Sequence, residues 1–139
     1  MSSLERLAPV PEARPVESPL RGRRYGADRL YLLPRDPRSV FAAWELSPSL
    51  HARAVEIARS RSASVRYVLA IERRDGEGSP EIPIAVVGIP DAVAGEGWYV
   101  SIARSGGECR AVLGLAFGRA IEPLIRSRWV PIPPEGPCP

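Results

Sequence analysis

The sequence predicts a mainly β protein, an antiparallel β-sandwich with one helix. The alternative is an α+β fold in which a helix packs on one face of an antiparallel sheet. Two observations favour the sandwich. Apolar and polar residues alternate in short runs through most of residues 30–127, which is the period of a half-buried strand. Turn-forming residues separate about seven such runs, a spacing typical of sandwiches rather than of parallel α/β sheets.

The first two strands form a predicted hairpin. Residues 30–33 are an apolar run that ends at Pro34, and residues 40–46 place Trp44 on an alternating apolar face. Residues 35–38, with the sequence RDPR, have turn chemistry, because proline fixes φ and aspartate accepts hydrogen bonds from nearby backbone N–H groups. We therefore expect Trp44 to lie in the core.

One helix interrupts the strands, from Pro48 to about Ser60. Ser47 is typical of the residue that caps a helix N-terminus, and Pro48 suits the first helical position. The apolar residues of the segment recur with helical spacing. They are Leu50, Ala54, Ile57 and Ala58.

Five further runs complete the predicted strands: residues 64–72, 82–87, 98–103, 109–117 and 121–127. Pro83 makes residues 82–87 the weakest run and favours an edge strand. Trp98 and Cys109 fall on apolar faces, so we expect both in the core. The order of a Trp-ending early strand, a Tyr-bearing strand and a late strand followed by a glycine turn resembles the immunoglobulin and fibronectin type III sandwiches.

The chain divides into three predicted segments. Residues 1–24 are expected to be a disordered Pro- and Arg-rich tail, because they bury too little apolar surface to offset an ordering entropy of about 1–2 kcal/mol per residue. Residues 25–130 form one β domain, since a chain of 139 residues suits a single ordinary core. Residues 131–139 contain five prolines and are expected to be an extended tail.

Charge, cysteine content and the N-terminal sequence bear on three classes of protein: nucleic-acid-binding proteins, metal-binding proteins and membrane-anchored proteins. All 19 basic residues are arginine, which favours phosphate contacts, but 16 carboxylates offset them and leave a net charge of +3. The absence of Lys, Asn, Gln and Thr, together with 16 prolines, is typical of a GC-rich bacterial genome. Cys109 and Cys138 have no His or Cys neighbours at ligand spacing, so we expect free thiols and no metal site. The N-terminal residues contain no continuous apolar run, which predicts a soluble cytoplasmic protein without a membrane anchor.

No catalytic apparatus is predicted. His51 is the sole histidine and has no Ser or Cys partner in a recognisable motif. The carboxylates Asp36, Glu45 and Glu72 follow no glycosidase spacing, and none of the glycines fits a phosphate-binding loop. We therefore expect a protein that is not an enzyme and that holds no cofactor.

Six polar or aromatic residues in two segments are the candidate binding residues: Arg35, Asp36, Arg38, Arg126, Arg128 and Trp129. In a binding role, the arginines hold an anionic or hydroxyl-rich group while Trp129 stacks on a flat ring. In a structural role, Asp36 caps its turn and Arg35 pairs with an acidic neighbour such as Glu45. Trp129 then folds back as a C-terminal staple over the sandwich. The sequence leaves both interpretations open.

Three motifs carry a resemblance to a known family. They are YG-x-DR at residues 25–29, RDP within residues 34–38, and FA-x-WE within residues 41–46. Together with WYV at residues 98–100 and the segment 118–127, they resemble the bacterial DUF4912 family. The resemblance covers about residues 25–134, and the run from RDP to WEL is its specific part.

The chain departs from the family pattern at three places. Ala43 stands where the family usually has Tyr, and Arg128 stands where it has Asn. Ile132 and Pro133 replace a Thr-Pro pair. The resemblance implies no assigned biochemistry. The gene contexts of the family imply nucleic acid or α-glucan as ligand classes.

These observations predict a non-enzymatic binding module. The favoured hypothesis is a module that docks a protein partner through an exposed edge strand and the corner around Trp129. The alternative is a module that binds α-glucan or nucleic acid through Arg35, Arg38, Trp129 and the arginines of the N-terminal tail. Salt separates these hypotheses, because phosphate binding by several arginines weakens steeply as the salt concentration rises.

Overall fold

The computed structural model describes residues 14–16, 28–90, 92 and 97–135. These residues form nine strands and one helix. In chain order the elements are β1 Arg14–Val16, β2 Arg29–Asp36, β3 Ser39–Glu45, α1 Pro48–Ser60, β4 Tyr67–Arg74, β5 Ile82–Ile89, β6 Gly97–Ser101, β7 Glu108–Phe117, β8 Ala120–Arg126 and β9 Val130–Pro131.

The strands form two antiparallel sheets. Sheet A has the order β1-β6-β3-β2, and sheet B has the order β5-β4-β7-β8, with β9 also paired to β7. Both sheets contribute to one core, in which Trp44 and Val100 of sheet A pack with Leu69 and Leu113 of sheet B, all four fully buried. The predicted β-sandwich with one helix is therefore confirmed.

The partition of strands between the sheets explains the likeness to immunoglobulin-type sandwiches. When β2 to β8 are taken as seven strands in order, sheet A holds the first, second and fifth, and sheet B holds the others. The constant-type immunoglobulin sandwich has the same arrangement, except that its fourth strand lies in the other sheet. Here that fourth strand is β5, at the edge of sheet B.

Strand β3 follows the alternation that the sequence predicts. Val40, Ala42 and Trp44 face the core and are fully buried, because alternate side chains of a strand point to the same face. The indole Nε1 of Trp44 donates a hydrogen bond of 3.0 Å to the carbonyl of Ala92. Trp98 packs against the core from β6 but is only half-buried.

Helix α1 connects β3 in sheet A to β4 in sheet B. The Oγ of Ser47 accepts a hydrogen bond from the Leu50 N–H at 3.1 Å, as a capping residue does, and Pro48 begins the helix. The buried residues of the helix are Leu50, Ala54 and Ala58. The predicted bounds of the helix are confirmed.

The folded body reaches further along the chain at its C-terminal end than the sequence predicts. Pro131 belongs to β9, and Ile132 is 3% exposed and lies in the core. The Ile132 N–H donates to the carbonyl of Gly107 at 2.9 Å. As far as Glu135, the segment that the sequence assigns to an extended tail therefore packs on the folded body. A proline lacks a backbone donor but keeps its carbonyl, so a Pro-rich segment still docks through the residues between its prolines.

Within the N-terminal segment that the sequence assigns to a tail, Arg14–Val16 pair with residues 97–99 of β6. This pairing departs from the expectation that these three residues belong to a disordered tail. Residues 1–13 and 17–27 lie outside the described residues.

Cys109 is a fully buried free thiol on the core face of β7, as the alternation predicts. Burial raises the pKa of the Cys109 thiol to about 11, so it stays protonated at neutral pH. Cys138 lies outside the described residues. In the part of the chain that the structure describes, no helix is long and apolar enough to cross a membrane.

Candidate functional site

A groove runs along the open side of the sandwich, where the β2 end of sheet A meets the β8 end of sheet B. It is lined by residues 28–32 on one side and by residues 125–128 with Val130 on the other, and its volume is about 520 Å³. That volume falls within the range of about 300–1,000 Å³ that is usual for ligand pockets. We call it the edge groove.

Strand β2 supplies one wall of the edge groove and is itself an edge strand. β3 is its neighbour in sheet A, and no described strand pairs with its other side. Leu30 and Leu32 face the core, whereas Tyr31 is 43% exposed and Leu33 is 57% exposed. A large aromatic and a large aliphatic side chain thus stand in solvent beside an open strand edge.

The opposite wall carries two exposed arginines, Arg126 and Arg128. Neither guanidinium makes a hydrogen bond, ion pair or ring contact with the described residues. Ser127 fixes the backbone between them: its N–H donates to the Ala111 carbonyl at 2.9 Å, and its Oγ accepts from the Ala111 N–H at 2.8 Å. The arginines are therefore held on a backbone anchored to β7.

Asp28 and Arg29 are the other charged residues that line the edge groove. The Oδ1 of Asp28 accepts a hydrogen bond from the Ser47 N–H at 2.6 Å, and Nη1 of Arg29 donates one of 3.5 Å to the Tyr31 hydroxyl. Arg126 and Arg128 outnumber Asp28, so these three side chains give the groove a net positive charge, which favours an anionic occupant.

The RDPR turn lies at the other end of β2. From Leu30 to Asp36 the strand spans about 20 Å at its usual rise per residue. Asp36 Oδ1 accepts a hydrogen bond from the Arg38 N–H at 2.8 Å, which lowers the pKa of the Asp36 carboxyl. The Arg38 guanidinium holds the Glu135 carboxylate through Nε at 3.1 Å and Nη2 at 2.8 Å. Asp36 and Arg38 thus have structural contacts in this turn: Asp36 caps it, and Arg38 connects it to the C-terminal segment through Glu135.

Arg35 does not pair with Glu45. Its guanidinium lies 4.6 Å from the centroid of the Tyr99 ring, on the outer face of sheet A. The Phe41 ring stands beside Tyr99, with 5.0 Å between ring centroids. Gly97 makes room for this arrangement, since a Cβ there would lie 2.4 Å from Cζ of Phe41. We call Tyr31, Phe41 and Tyr99, with Arg35, the aromatic face.

Trp129 lies on the outer face of sheet B. Its ring is 4.2 Å from the guanidinium carbon of Arg74 and 4.5 Å from that of Arg110. Arg74 is ion-paired with Glu108, and Arg110 with Glu72, each at 2.8 Å. Trp129 is half-buried, whereas Tyr31 is exposed. These contacts fit the structural role described for Trp129, in which the residue folds back over the sandwich.

We expect Trp129→Ala to lower the free energy of unfolding by about 1–2 kcal/mol, since each cation–π contact contributes about 0.5–1 kcal/mol at a partly exposed site. Urea denaturation measures the change. Trp129→Phe keeps a ring between the two guanidinium groups and should recover part of the loss. Unchanged stability in the alanine variant, together with loss of a ligand, would make Trp129 a binding residue instead.

The structure therefore divides the sequence-predicted candidates. Arg126 and Arg128 line the edge groove, whereas Arg35, Asp36 and Arg38 belong to the far end of β2. No described contact joins the turn to Trp129. Sequence reasoning missed Tyr31 and Leu33. The signal for them was their alternation along the chain with Leu30 and Leu32, because successive residues of a strand point to opposite faces.

His51 takes part in a contact between helix and sheet. Its Nδ1 is 2.8 Å from the hydroxyl of Tyr67, and burial raises the pKa of that hydroxyl. Within the described residues, no group of three or more His, Cys, Asp or Glu side chains is placed to hold a metal ion.

Fold and site together define an antiparallel β-sandwich domain with an arginine-lined groove along one edge. The chain matches the model of the DUF4912 family, described as a domain of unknown function, over residues 25–139. It belongs to that family, as the motifs at residues 25–46 indicate. No curated protein and no solved structure matches the chain.

Proposed function

We propose that this protein is a non-enzymatic binding module that docks a protein partner along the edge of β2. The observation that carries the proposal is the combination of an open strand edge with exposed Tyr31 and Leu33 beside the edge groove. An edge strand offers unpaired backbone N–H and C=O groups, and an extended peptide that adds to the sheet forms hydrogen bonds with them.

The open edge has a defined length. Residues 29–33 contain no proline, and Pro34 then removes a backbone donor from the strand. Proteins that do not use an edge usually protect it with prolines, charges or a covering element. On β2 such residues are confined to the two ends, at Arg29 and at Pro34, Arg35 and Asp36. The exposed positions between them, Tyr31 and Leu33, carry an aromatic and an aliphatic side chain, which supports recognition of a partner's side chains at alternate positions.

The test compares two edge strands. Random peptides displayed on phage are selected on the parent protein, and their affinities are then measured for Leu33→Asp and Ile82→Asp. Ile82 is the matched control, because it is 49% exposed and lies on β5, the edge of sheet B. We expect Leu33→Asp to weaken binding at least about tenfold, or about 1.4 kcal/mol, and Ile82→Asp to leave it unchanged. Equal effects of the two changes would reject docking at β2.

The aromatic face favours a second candidate, a module for α-glucan or nucleic acid. Its rings offer flat surfaces for sugar or base stacking, and Arg35 adds positive charge beside Tyr99. An amylopectin affinity gel and a gel shift with a single-stranded oligonucleotide test this candidate on one preparation. Retardation that Tyr99→Ala abolishes would support it, and a steep loss with salt would select nucleic acid over glucan.

A further inference from the structure

Two arginines of the edge groove, Arg126 and Arg128, have no carboxylate partner among the described residues. Six arginines of that part of the chain are ion-paired with a carboxylate: Arg38, Arg59, Arg61, Arg73, Arg74 and Arg110. Arg126 and Arg128 have no such partner there, although they share one groove. The lining carboxylate, Asp28, is held by the Ser47 N–H and not by either of them. Arg126 and Arg128 thus have no ion-pair partner among the described residues, and they outnumber the one carboxylate of the lining.

The spacing of these arginines matches an extended chain. Arg126 and Arg128 are two residues apart across the anchored Ser127. Alternate side chains of an extended peptide repeat at about 7 Å on one side, and the intervening ones point to the other side. A strand added to β2 therefore turns one set of side chains towards Tyr31 and Leu33, and the other set towards the arginine wall.

We infer that the partner segment is an extended acidic peptide, with carboxylates at alternate positions that bind Arg126 and Arg128. This inference rests on the proposed docking at β2 and adds the chemistry of the partner. Arginine is suited to the role, because its planar guanidinium forms paired charge-assisted hydrogen bonds with a carboxylate. Apolar residues at the intervening positions of the peptide pack on Tyr31 and Leu33.

A second copy of this chain fits the groove less well. The carboxylates that flank β2 are Asp28 and Asp36, and each already accepts a backbone hydrogen bond in its own chain. Residues 28–36 carry two aspartates and two arginines, so a second β2 would add no net negative charge opposite Arg126 and Arg128. The charge of the groove therefore favours a different protein.

A nucleic acid strand also fits less well. Its phosphates complement arginine, but it has no backbone N–H and C=O groups with the spacing of a strand. Of the two exposed side chains beside the edge, Tyr31 offers a base a stacking surface, but Leu33 does not. The polypeptide is the occupant that accounts for both the open edge and the charge.

The test uses three fluorescent peptides of equal length, with valine alternating with glutamate, glutamine or lysine. Fluorescence polarisation measures their affinities for the full chain and for the double variant Arg126→Glu/Arg128→Glu. The matched control is Arg53→Glu/Arg119→Glu, which changes two exposed arginines on α1 and on the turn before β8. Arg126→Gln/Arg128→Gln removes the charge without reversing it, and circular dichroism confirms that each variant is folded.

We expect the glutamate peptide to bind the parent at least about tenfold more tightly than the glutamine peptide. The double glutamate variant should lose that preference and bind the lysine peptide best, while the control variant ranks the three peptides as the parent does.

Equal affinities of the glutamate and glutamine peptides, still sensitive to Leu33→Asp, would overturn the acidic chemistry of the partner and leave docking at β2 intact. No binding of any peptide, or binding insensitive to Leu33→Asp, would overturn the proposed docking as well. Displacement of the peptide by a single-stranded oligonucleotide, or dimerisation that the double variant abolishes, would assign the groove to those occupants instead.

Discussion

Replacement of Trp44 by Ala is expected to lower the free energy of unfolding by about 3–5 kcal/mol, the usual cost of truncating a large core aromatic. The Trp44 side chain is fully buried near the C-terminal end of β3, and its indole Nε1 donates a hydrogen bond to the carbonyl of Ala92. The truncation removes both the packing and the hydrogen bond, so it leaves a cavity and an unsatisfied buried acceptor. Chemical denaturation monitored by circular dichroism measures the loss.

Asp36→Ala is the comparison for Trp44→Ala. Asp36 is exposed and caps the turn through the Arg38 N–H, so its loss should cost about 0.5–2 kcal/mol, as the loss of a side-chain cap does. Trp44 should therefore be the more damaging site of the two. A Trp44→Ala protein that folds as well as the parent but loses a ligand would place Trp44 in a binding surface, contrary to its burial.

The sequence predicts the faces of this fold well. Period-two alternation identifies Trp44 in β3 and Cys109 in β7 as core residues, and both are fully buried. The capping chemistry of Ser47 and Pro48 locates the start of the helix to the residue. These features are local, because each depends on the order of residues within one element.

The neighbours of each face are what the sequence does not predict. The edge groove joins residues 28–32 to residues 125–130, which are about a hundred positions apart in the chain. Alternation shows that Tyr31 points away from the core, but it does not show that β2 is an edge strand. That property depends on the order in which distant strands pair.

Trp129 illustrates the same limit. In the sequence it stands between Arg128 and Val130, which favours an exposed aromatic with cationic neighbours along the chain. In the fold its cationic neighbours are Arg74 of β4 and Arg110 of β7, and both are ion-paired. The pairing of β4 with β7 places these two arginines side by side, and no local pattern reports that pairing.

Gly114→Ala is the second change with a large expected effect. Gly114 lies in β7 opposite Pro123, next to a shift in the pairing register with β8. A Cβ at this position would lie 2.4 Å from the carbonyl oxygen of Glu122 and 3.0 Å from its carbonyl carbon. These are backbone atoms of a neighbouring strand, so the clash is relieved only if β8 moves. We expect the variant to lose about 3 kcal/mol of stability, at the upper end of the usual cost of overpacking.

Gly76→Ala is the matched control for Gly114→Ala. A Cβ at Gly76 would meet nothing within 4 Å, and its φ is not in the left-handed region. The change should alter stability by less than about 1 kcal/mol, and it should favour the folded state by restricting the unfolded chain. Thermal and urea denaturation of the two variants, side by side, measure the difference, and equal stabilities would show that β7 and β8 do not approach as closely as the structure has them.

The Gly114 variant also connects the packing of sheet B to the edge groove. Strand β8 ends at Arg126 and leads directly into Ser127, so a displacement of β8 also displaces the arginine wall. At a temperature where the variant is still folded, its affinity for the valine–glutamate peptide should fall further than its affinity for the valine–glutamine peptide. An equal fall for both peptides would mean that the arginine wall keeps its position when β8 moves, and that the close approach at Gly114 serves stability alone.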